Sequence, residues 1–388
     1  MANRVLYHHR IRAEDGQAVH VREMIAAMRA AGHEVLECAL VPKAVGQNEK
    51  SANGTRFWSK ITLPRLATES TEILYSQKGR SMILKAAEDF RPDFIYERHA
   101  LHCRSGLLAA RKLSVPLILE VNAPMCDEME ELGKLNFKKL ARRSEREVLT
   151  GADRILPVSD VLAERLVELG APPERVRVVR NGADPERFDS ATTAAGRELR
   201  KKCGIDNEQF VLGFIGYMRS WHRLDLALDA LATVEEGEVH LLLVGDGPAL
   251  PDLLQQAASL GVRERVHLFG TVSGSEIPSI CSAFDLALVP AINGYASPLK
   301  IFDSLSAAVP TVALDQANIR ELIIPGETGV LFAPGDAGAL RERIAEMIAD
   351  RDRSRSIGAA GRAALLANNW TWDGNVERVM KAFEEVRG

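Results

Sequence analysis

The stretch Val239-His240-Leu241-Leu242-Leu243-Val244-Gly245-Asp246-Gly247-Pro248 decides the fold. Six residues, five of them aliphatic, run with little polar alternation, as in a strand covered on both faces. A tight glycine turn stops it, and proline stands where a helix starts. Strand, glycine turn and helix in that order belong to a parallel sheet with helices on both sides.

The same unit recurs in both directions. Val211 to Ile215 reads as a strand ended by Gly216, with a helix over Leu224 to Leu231. Val266 to Phe269 ends at Gly270, and Leu286 to Val289 and Thr311 to Ala313 complete the series. Upstream, the polar stretch Asp184 to Asn207 reads as a boundary. Before it lies a second series of strands: Val5 to Tyr7, Val35-Leu36, Phe94 to Tyr96, Pro116 to Val121, Ile155 to Val158 and Val176 to Val179. Helices over Val19 to Ala31, Leu107 to Leu113 and Asp160 to Leu169 fall between them. The expected fold is therefore α/β, with two doubly wound, Rossmann-like domains. Residues 1–187 form the first and 188–366 the second, and a helix over 367–388 is expected to cross back to the first.

Composition agrees with two ordinary globular domains. The 388 residues are 46% hydrophobic and 26% charged, with a formal net charge of −4. That balance lacks the basic excess of a nucleic-acid-binding domain. No apolar run reaches the roughly 18 residues of a membrane span, and the N-terminus carries no signal-peptide pattern. Cys38, Cys103, Cys126, Cys203 and Cys281 form no CxxC pair, so a reduced, cytoplasmic chain without a zinc knuckle is expected. Two basic stretches stand out. Lys50 to Arg80 includes Arg56, Phe57, Trp58, Lys60, Arg65, Lys78 and Arg80, and Lys134 to Arg146 includes Lys138, Lys139, Arg142 and Arg143. Each reads either as a solvated face or as peripheral contact with an anionic membrane surface.

In such sheets ligands sit outside the carboxyl ends of the strands. Three loops of the second half fall there. Gly216 to Arg223 combines a glycine, which allows close approach to the backbone, with the cations Arg219 and Arg223. Gly245-Asp246-Gly247-Pro248 also leads into a helix; alone, it equally reads as a plain tight turn. In Asn293 to Asp303, Ser297 is expected to cap a helix whose first turn carries Pro298. Free amides there, with Lys300, suit a diphosphate, and Asp303 one turn on suits ribose hydroxyls. Together the loops describe a site for a negatively charged nucleotide.

In this order and spacing, the residues resemble the family 4 retaining glycosyltransferases. The resemblance spans nearly the whole chain. It rests on Asp15-Gly16-Gln17, Gly32-His33-Glu34-Val35, Val158-Ser159, Asn181-Gly182-Ala183-Asp184, Val244 to Pro248, Gly270-Thr271-Val272, and Ser297-Pro298-Leu299-Lys300 with Asp303. It implies the GT-B fold, two such domains facing a cleft. It also implies transfer of a sugar from a nucleotide-diphosphate donor to a hydroxyl, with no cofactor and no metal.

The family's E-x7-E motif would fall at 295 and 303. Here Tyr295 replaces the first glutamate and Asp303 the second, as in a branch that carries an SPxK segment. The resemblance assigns donor binding to Gly16, Gly216, His222, Arg223, Gly245, Asp246, Gly270, Ser297, Pro298, Leu299 and Asp303. Arg219 and Lys300 would stabilise charge on the departing diphosphate. Asn122 falls where many relatives carry a histidine near the reacting carbon, so Glu120 and Asn122 are candidates for that place. A uridine donor is expected before a guanosine one.

Glu97, Arg98 and His99 follow a strand of the first half and are expected to orient a saccharide, lipid-linked or small-molecule acceptor. Two other readings fit the same fold: a nucleotide-sugar 2-epimerase, and a binder of nucleotide sugars without catalysis.

Overall fold

The structure, a computed structural model, describes residues 2–44, 65–189, 193–234 and 239–387. Arg56, Phe57, Trp58 and Lys60 of the first basic stretch lie outside them. The chain divides into two compact units, Met1–Arg180 with Trp372–Gly388, and Asn181–Thr371. The passages between units therefore fall at Arg180–Asn181 and Thr371–Trp372, and the polar stretch from Asp184 to Asn207 lies within the second unit.

Unit 1 contains strands β1 (Arg4–His9), β2 (Glu34–Ala39), β3 (Phe94–Arg98), β4 (Leu117–Val121) and β5 (Arg154–Pro157). They form a parallel sheet in the order β2-β1-β3-β4-β5. Its helices are α1 (Gly16–Ala30), α2 (Arg65–Phe90), α3 (Ser105–Leu113), α4 (Met125–Glu131), α5 (Lys138–Gly151) and α6 (Asp160–Glu168). Helix α1 starts where the Asp15 carboxylate accepts the Gln17 N–H at 3.0 Å, a side-chain N-cap. Val5, Leu6, Ile95, Leu117 and Leu119 are fully buried in the sheet.

The expected strand over Val176 to Val179 is an extended segment instead. It gives N–H bonds from Arg177 to Ile155 and from Val179 to Pro157, both 2.9 Å. Pro157 has no N–H to return, so the ladder stops at a single bridge.

Unit 2 contains α7 (Pro185–Asp189), α8 (Thr193–Lys202), β6 (Phe210–Ile215), α9 (Leu224–Leu231), β7 (Val239–Val244), α10 (Leu250–Ser259), β8 (Val266–Leu268), α11 (Ile277–Cys281) and β9 (Leu286–Val289). There follow α12 (Leu299–Ser306), β10 (Thr311–Leu314), α13 (Ala317–Arg320), β11 (Val330–Phe332), α14 (Ala337–Ala349) and α15 (Arg351–Ala367). The parallel sheet runs β11-β10-β9-β6-β7-β8. Alternate residues feed two cores: Leu212, Phe214, Leu241 and Leu243 face one, Val211, Leu242 and Val244 the other. Burial on both faces is what the aliphatic run at 239–244 implied.

The last helix, α16 (Trp372–Arg387), belongs to unit 1. Phe383 stacks on Phe94 at 4.5 Å, and Trp372 meets His20 of α1 edge-on at 5.2 Å. The Asn375 amide donates to the Arg180 carbonyl at 2.7 Å.

Candidate functional site

In unit 2 the chain winds one way from β6 through β7 to β8, and the other way from β9 through β10 to β11. The order reverses between β6 and β9, and a crevice opens beyond the carboxyl ends of strands at such a reversal. The loops that leave β6 and β9 are Gly216–Arg223 and Pro290–Pro298, two of the three that the sequence picks out.

Backbone bonds tie the neighbouring loops together. Gly216 donates to Val244 at 3.0 Å, Gly245 to Gly270 at 2.6 Å and Met218 to Asp246 at 2.7 Å. Gly245 has φ +124°, and a Cβ there would stand 2.2 Å from the Gly216 carbonyl oxygen. Only glycine lets the two loops approach this closely.

Lys300 reaches back from the first turn of α12. Its Nζ sits 4.0 Å from the centre of the Phe214 ring, and a Cβ on Gly216 would be 3.4 Å from it. Burial lowers the ammonium to about 7, and the half-buried Asp303 opposes the shift. His222 is lowered to about 3 by burial and then by Lys300 and Arg219, so it is neutral at pH 7. Its Nδ1 accepts the Arg219 N–H at 3.3 Å, which leaves the ring proton on Nε2. The Arg219 guanidinium lies 4.9 Å from the Tyr217 ring and 4.8 Å from the Trp221 ring, both half-exposed. Two cations and a neutral imidazole thus gather at the reversal point, and Arg219 makes no ion pair among the described residues.

Other predicted residues are placed differently. Arg223 is held by Asp225 at 2.8 Å, so its charge is already matched. The Asp246 carboxylate accepts the Gly247 N–H at 2.7 Å and is exposed. Ser297 does not cap α12, a correction to the expectation. Its Oγ accepts the Asn181 N–H at 3.1 Å and its carbonyl accepts the Asn181 amide, while Pro298 occupies the cap position in extended conformation. Leu299 is then the first helical residue. The Tyr295 hydroxyl accepts from Asn293 at 3.0 Å. Asn318 donates to Asn293 and Ala296, and Gln316 to Ile292, so that the loop is pinned from α13. Asn318 and Gln316 left no sequence signal, because both bond backbone carbonyls more than twenty residues away.

Unit 1 also has a reversal, between β1 and β3. Beyond it the buried Glu120 carboxylate gathers donors: Tyr96 at 2.8 Å, His20 at 2.9 Å, Tyr7 at 3.3 Å, and Arg98 and Asn122 in closer contact. Burial would raise this carboxyl, but His20, Arg98 and the hydrogen bonds hold it well below the usual range. Glu120, Asn122 and Arg98 therefore form one cluster.

Glu97 belongs to another, bonded to His8 at 2.5 Å and to the Gly106 N–H at 2.7 Å. Ligand atoms of His8, Glu97 and Cys103 lie within 4.8 Å of one another, a grouping the sequence did not suggest. The His99 side chain is 4% exposed and its Nε2 lies 3.8 Å from a Glu145 carboxylate oxygen. Gly16 opens α1 and is exposed.

Residues 15–182 match the model of the glycosyl transferase 4-like domain, and residues 209–350 that of glycosyl transferases group 1. Together the two matches span most of the chain, which belongs to the GT4-type group 1 glycosyltransferases. It is 28% identical to a D-inositol 3-phosphate glycosyltransferase of Thermobispora bispora over 77% of this chain and 72% of that one. It is 26% identical to the GDP-mannose-dependent alpha-mannosyltransferase of Mycobacterium tuberculosis over 96% of this chain and 94% of that one. Among solved structures, Anabaena HepE with UDP and glucose aligns at a TM-score of 0.75, with 17% identity, over 99% of this chain and 100% of that one. The fold is GT-B, two parallel-sheet Rossmann-like units.

Proposed function

We propose that this glycosyltransferase retains the configuration of the sugar it moves, and takes that sugar from a nucleotide-diphosphate donor held by unit 2. The observation that carries the reading is the cationic cluster of Lys300, Arg219 and the neutral His222 against Gly216. It sits at the sheet reversal, where a diphosphate meets both backbone and positive charge.

On this reading Lys300, Arg219 and the loop amides stabilise the negative charge that grows on the departing diphosphate. The donor's C1–O bond breaks, the acceptor oxygen bonds C1 on the same face, and its proton passes to the leaving phosphate. Asp303 accepts hydrogen bonds from the ribose, and Gly216 and Gly270 let the nucleotide approach the chain, while Gly245 lets the two loops lie against each other. The relatives' names make uridine and guanosine donors the ones to try first.

Unit 1 holds the acceptor. Glu120, kept ionised by its partners, would hold Arg98 and Asn122 in place and would not serve as a proton donor. Two outward features fit a lipid surface: exposed Leu132, Phe137 and Leu140, and the neighbouring Lys134 and Lys139.

Nucleotide-sugar binding by single-residue variants tests the donor site. Asp303→Ala is expected to weaken it roughly tenfold, the scale of a lost hydrogen bond to a charged group. Lys300→Ala is expected to lower turnover by 10²-fold or so. Parent-like behaviour of both variants would remove the site from unit 2's reversal point.

A further inference from the structure

Unit 1 carries a pocket outside the Glu120 cluster. It has a volume of about 230 Å³ and is lined by Arg10, Arg12, Leu40, Thr71, Leu74, Tyr75 and Lys78. Arg10 and Arg12 follow β1, the strand at the reversal of this sheet, and the others come from the end of β2 and from α2. The pocket thus lies beyond the carboxyl ends of β1 and β2, on the β2 side of the reversal.

Three of its lining side chains are cations and none is a carboxylate. Among the described residues, Arg10, Arg12 and Lys78 form no ion pair. The nearest acid of the same loop, Glu14, is matched by Arg22 at 2.7 Å and by Lys43.

The pocket is also built, not merely charged. One nitrogen of Arg10 donates to the Leu101 carbonyl at 2.8 Å, and its guanidinium lies 4.6 Å from the centre of the Tyr75 ring. The buried Tyr75 hydroxyl is fixed by His8 Nε2 at 3.0 Å, and His8 by Glu97. Burial pushes that phenol above its ordinary value, so it stays neutral in the pocket wall. The Arg12 carbonyl accepts from Lys43 at 3.1 Å, which holds the loop. An arginine fixed on one edge keeps its remaining donors aimed at an anion. At about 230 Å³ the space is smaller than the ~300 Å³ at which pockets for whole small ligands begin, so it suits one substituent.

We infer that this pocket binds an acidic substituent of the acceptor, a phosphate ester or a carboxylate, and so selects acidic acceptors over neutral ones. The inference rests on the transfer reading above. The same chemistry is offered by a soluble phosphorylated or acidic sugar and by a lipid phosphate.

The experiment is titration calorimetry on the full chain with sn-glycerol 3-phosphate, glycerol, D-glucuronate and D-glucose. It is repeated with vesicles of phosphatidylglycerol and of phosphatidylcholine. Proteins compared are the parent, Lys300→Ala, Arg12→Ser/Lys78→Ser and Lys78→Arg. Both altered side chains of the double variant are exposed, and circular dichroism checks its fold.

Expected is binding of an acidic probe and not of its neutral counterpart, unchanged in Lys300→Ala, weakened at least tenfold in the double variant and retained in Lys78→Arg, which keeps the charge. If phosphatidylglycerol alone binds, with the same variant dependence, the anion is a lipid's; if the small probes bind, it is a soluble acceptor's. Absence of all such binding, or loss in Lys300→Ala with the double variant unaffected, overturns the proposal.

The two readings fail differently. If the parent transfers sugar equally to neutral and acidic acceptors, the pocket inference falls and the transfer reading stands. If no acceptor provokes nucleotide release while the probes still bind at the pocket, the transfer reading falls and a pure anion site remains.

Discussion

Lys300 is a residue whose environment sets its use. The half-buried Lys300 ammonium lies beside Phe214 and Gly216, and burial lowers it to about 7. A bound diphosphate would restore the proton, since an adjacent anion favours the charged form. The direction of the pH effect follows. Below about pH 7 the free site already carries the cation, and as pH rises above 7 binding must take up a proton. Nucleotide-sugar affinity should therefore fall by up to tenfold per unit between pH 7 and 9. A nucleotide sugar is the right ligand, because its diphosphate keeps constant charge over that range. The slope should vanish in Lys300→Ala, as fluorescence or calorimetric titration at several pH values would reveal. A parent affinity that is flat with pH would place the ammonium outside the binding step.

At this scale the sequence was readable for residues next to glycine turns, where chain position predicts geometry. It was not readable for Ser297, because its partner Asn181 lies 116 residues away. A serine before a proline normally reads as a cap; here a distant amide takes the oxygen first.

Elements were legible where burial is two-sided. The aliphatic run at 239–244 and the glycine-ended run at 210–215 are central strands of their sheet. Helix α2 shows no clean apolar stripe: Glu69 and Ser76 are buried while Leu66 and Leu74 are exposed, so periodicity does not reveal it. Strand β11, Val330–Phe332, is too short to carry a pattern.

The reversal of strand order, which defines the site, is a property of pairing and not of any one segment. Its most sensitive contact is between the loops after β6 and β7. Gly245→Ala would drive a Cβ to 2.2 Å from the Gly216 oxygen and force φ +124° on a residue that disfavours it. The cost should be about 1–3 kcal/mol for the backbone alone, with the loops pushed apart. Denaturant unfolding should report that loss, and nucleotide-sugar binding should weaken with it. A variant as stable as the parent that binds equally well would mean that the loops do not need this approach.

For the whole molecule, the final helix shows how a chain's end can complete its beginning. Trp372, Val376, Val379, Met380 and Phe383 of α16 are buried, with Phe383 on Phe94 of β3. At about 1.5–3 kcal/mol each, these side chains approach the entire 5–15 kcal/mol margin of a typical domain. A chain ending at Thr371 should lose unit 1 to limited proteolysis while unit 2 stays resistant. Equal resistance of both units would deny the helix that role.

The proposed sugar transfer with retention at the cationic reversal point of unit 2 has one direct test. The direct measurement incubates the chain with UDP- and GDP-sugars of α configuration, with and without neutral and acidic acceptors, and reads nucleotide release and product anomer by NMR. Release that depends on acceptor, with an α-linked product, is expected. A β-linked product, or sugar interconversion without any acceptor, would contradict it.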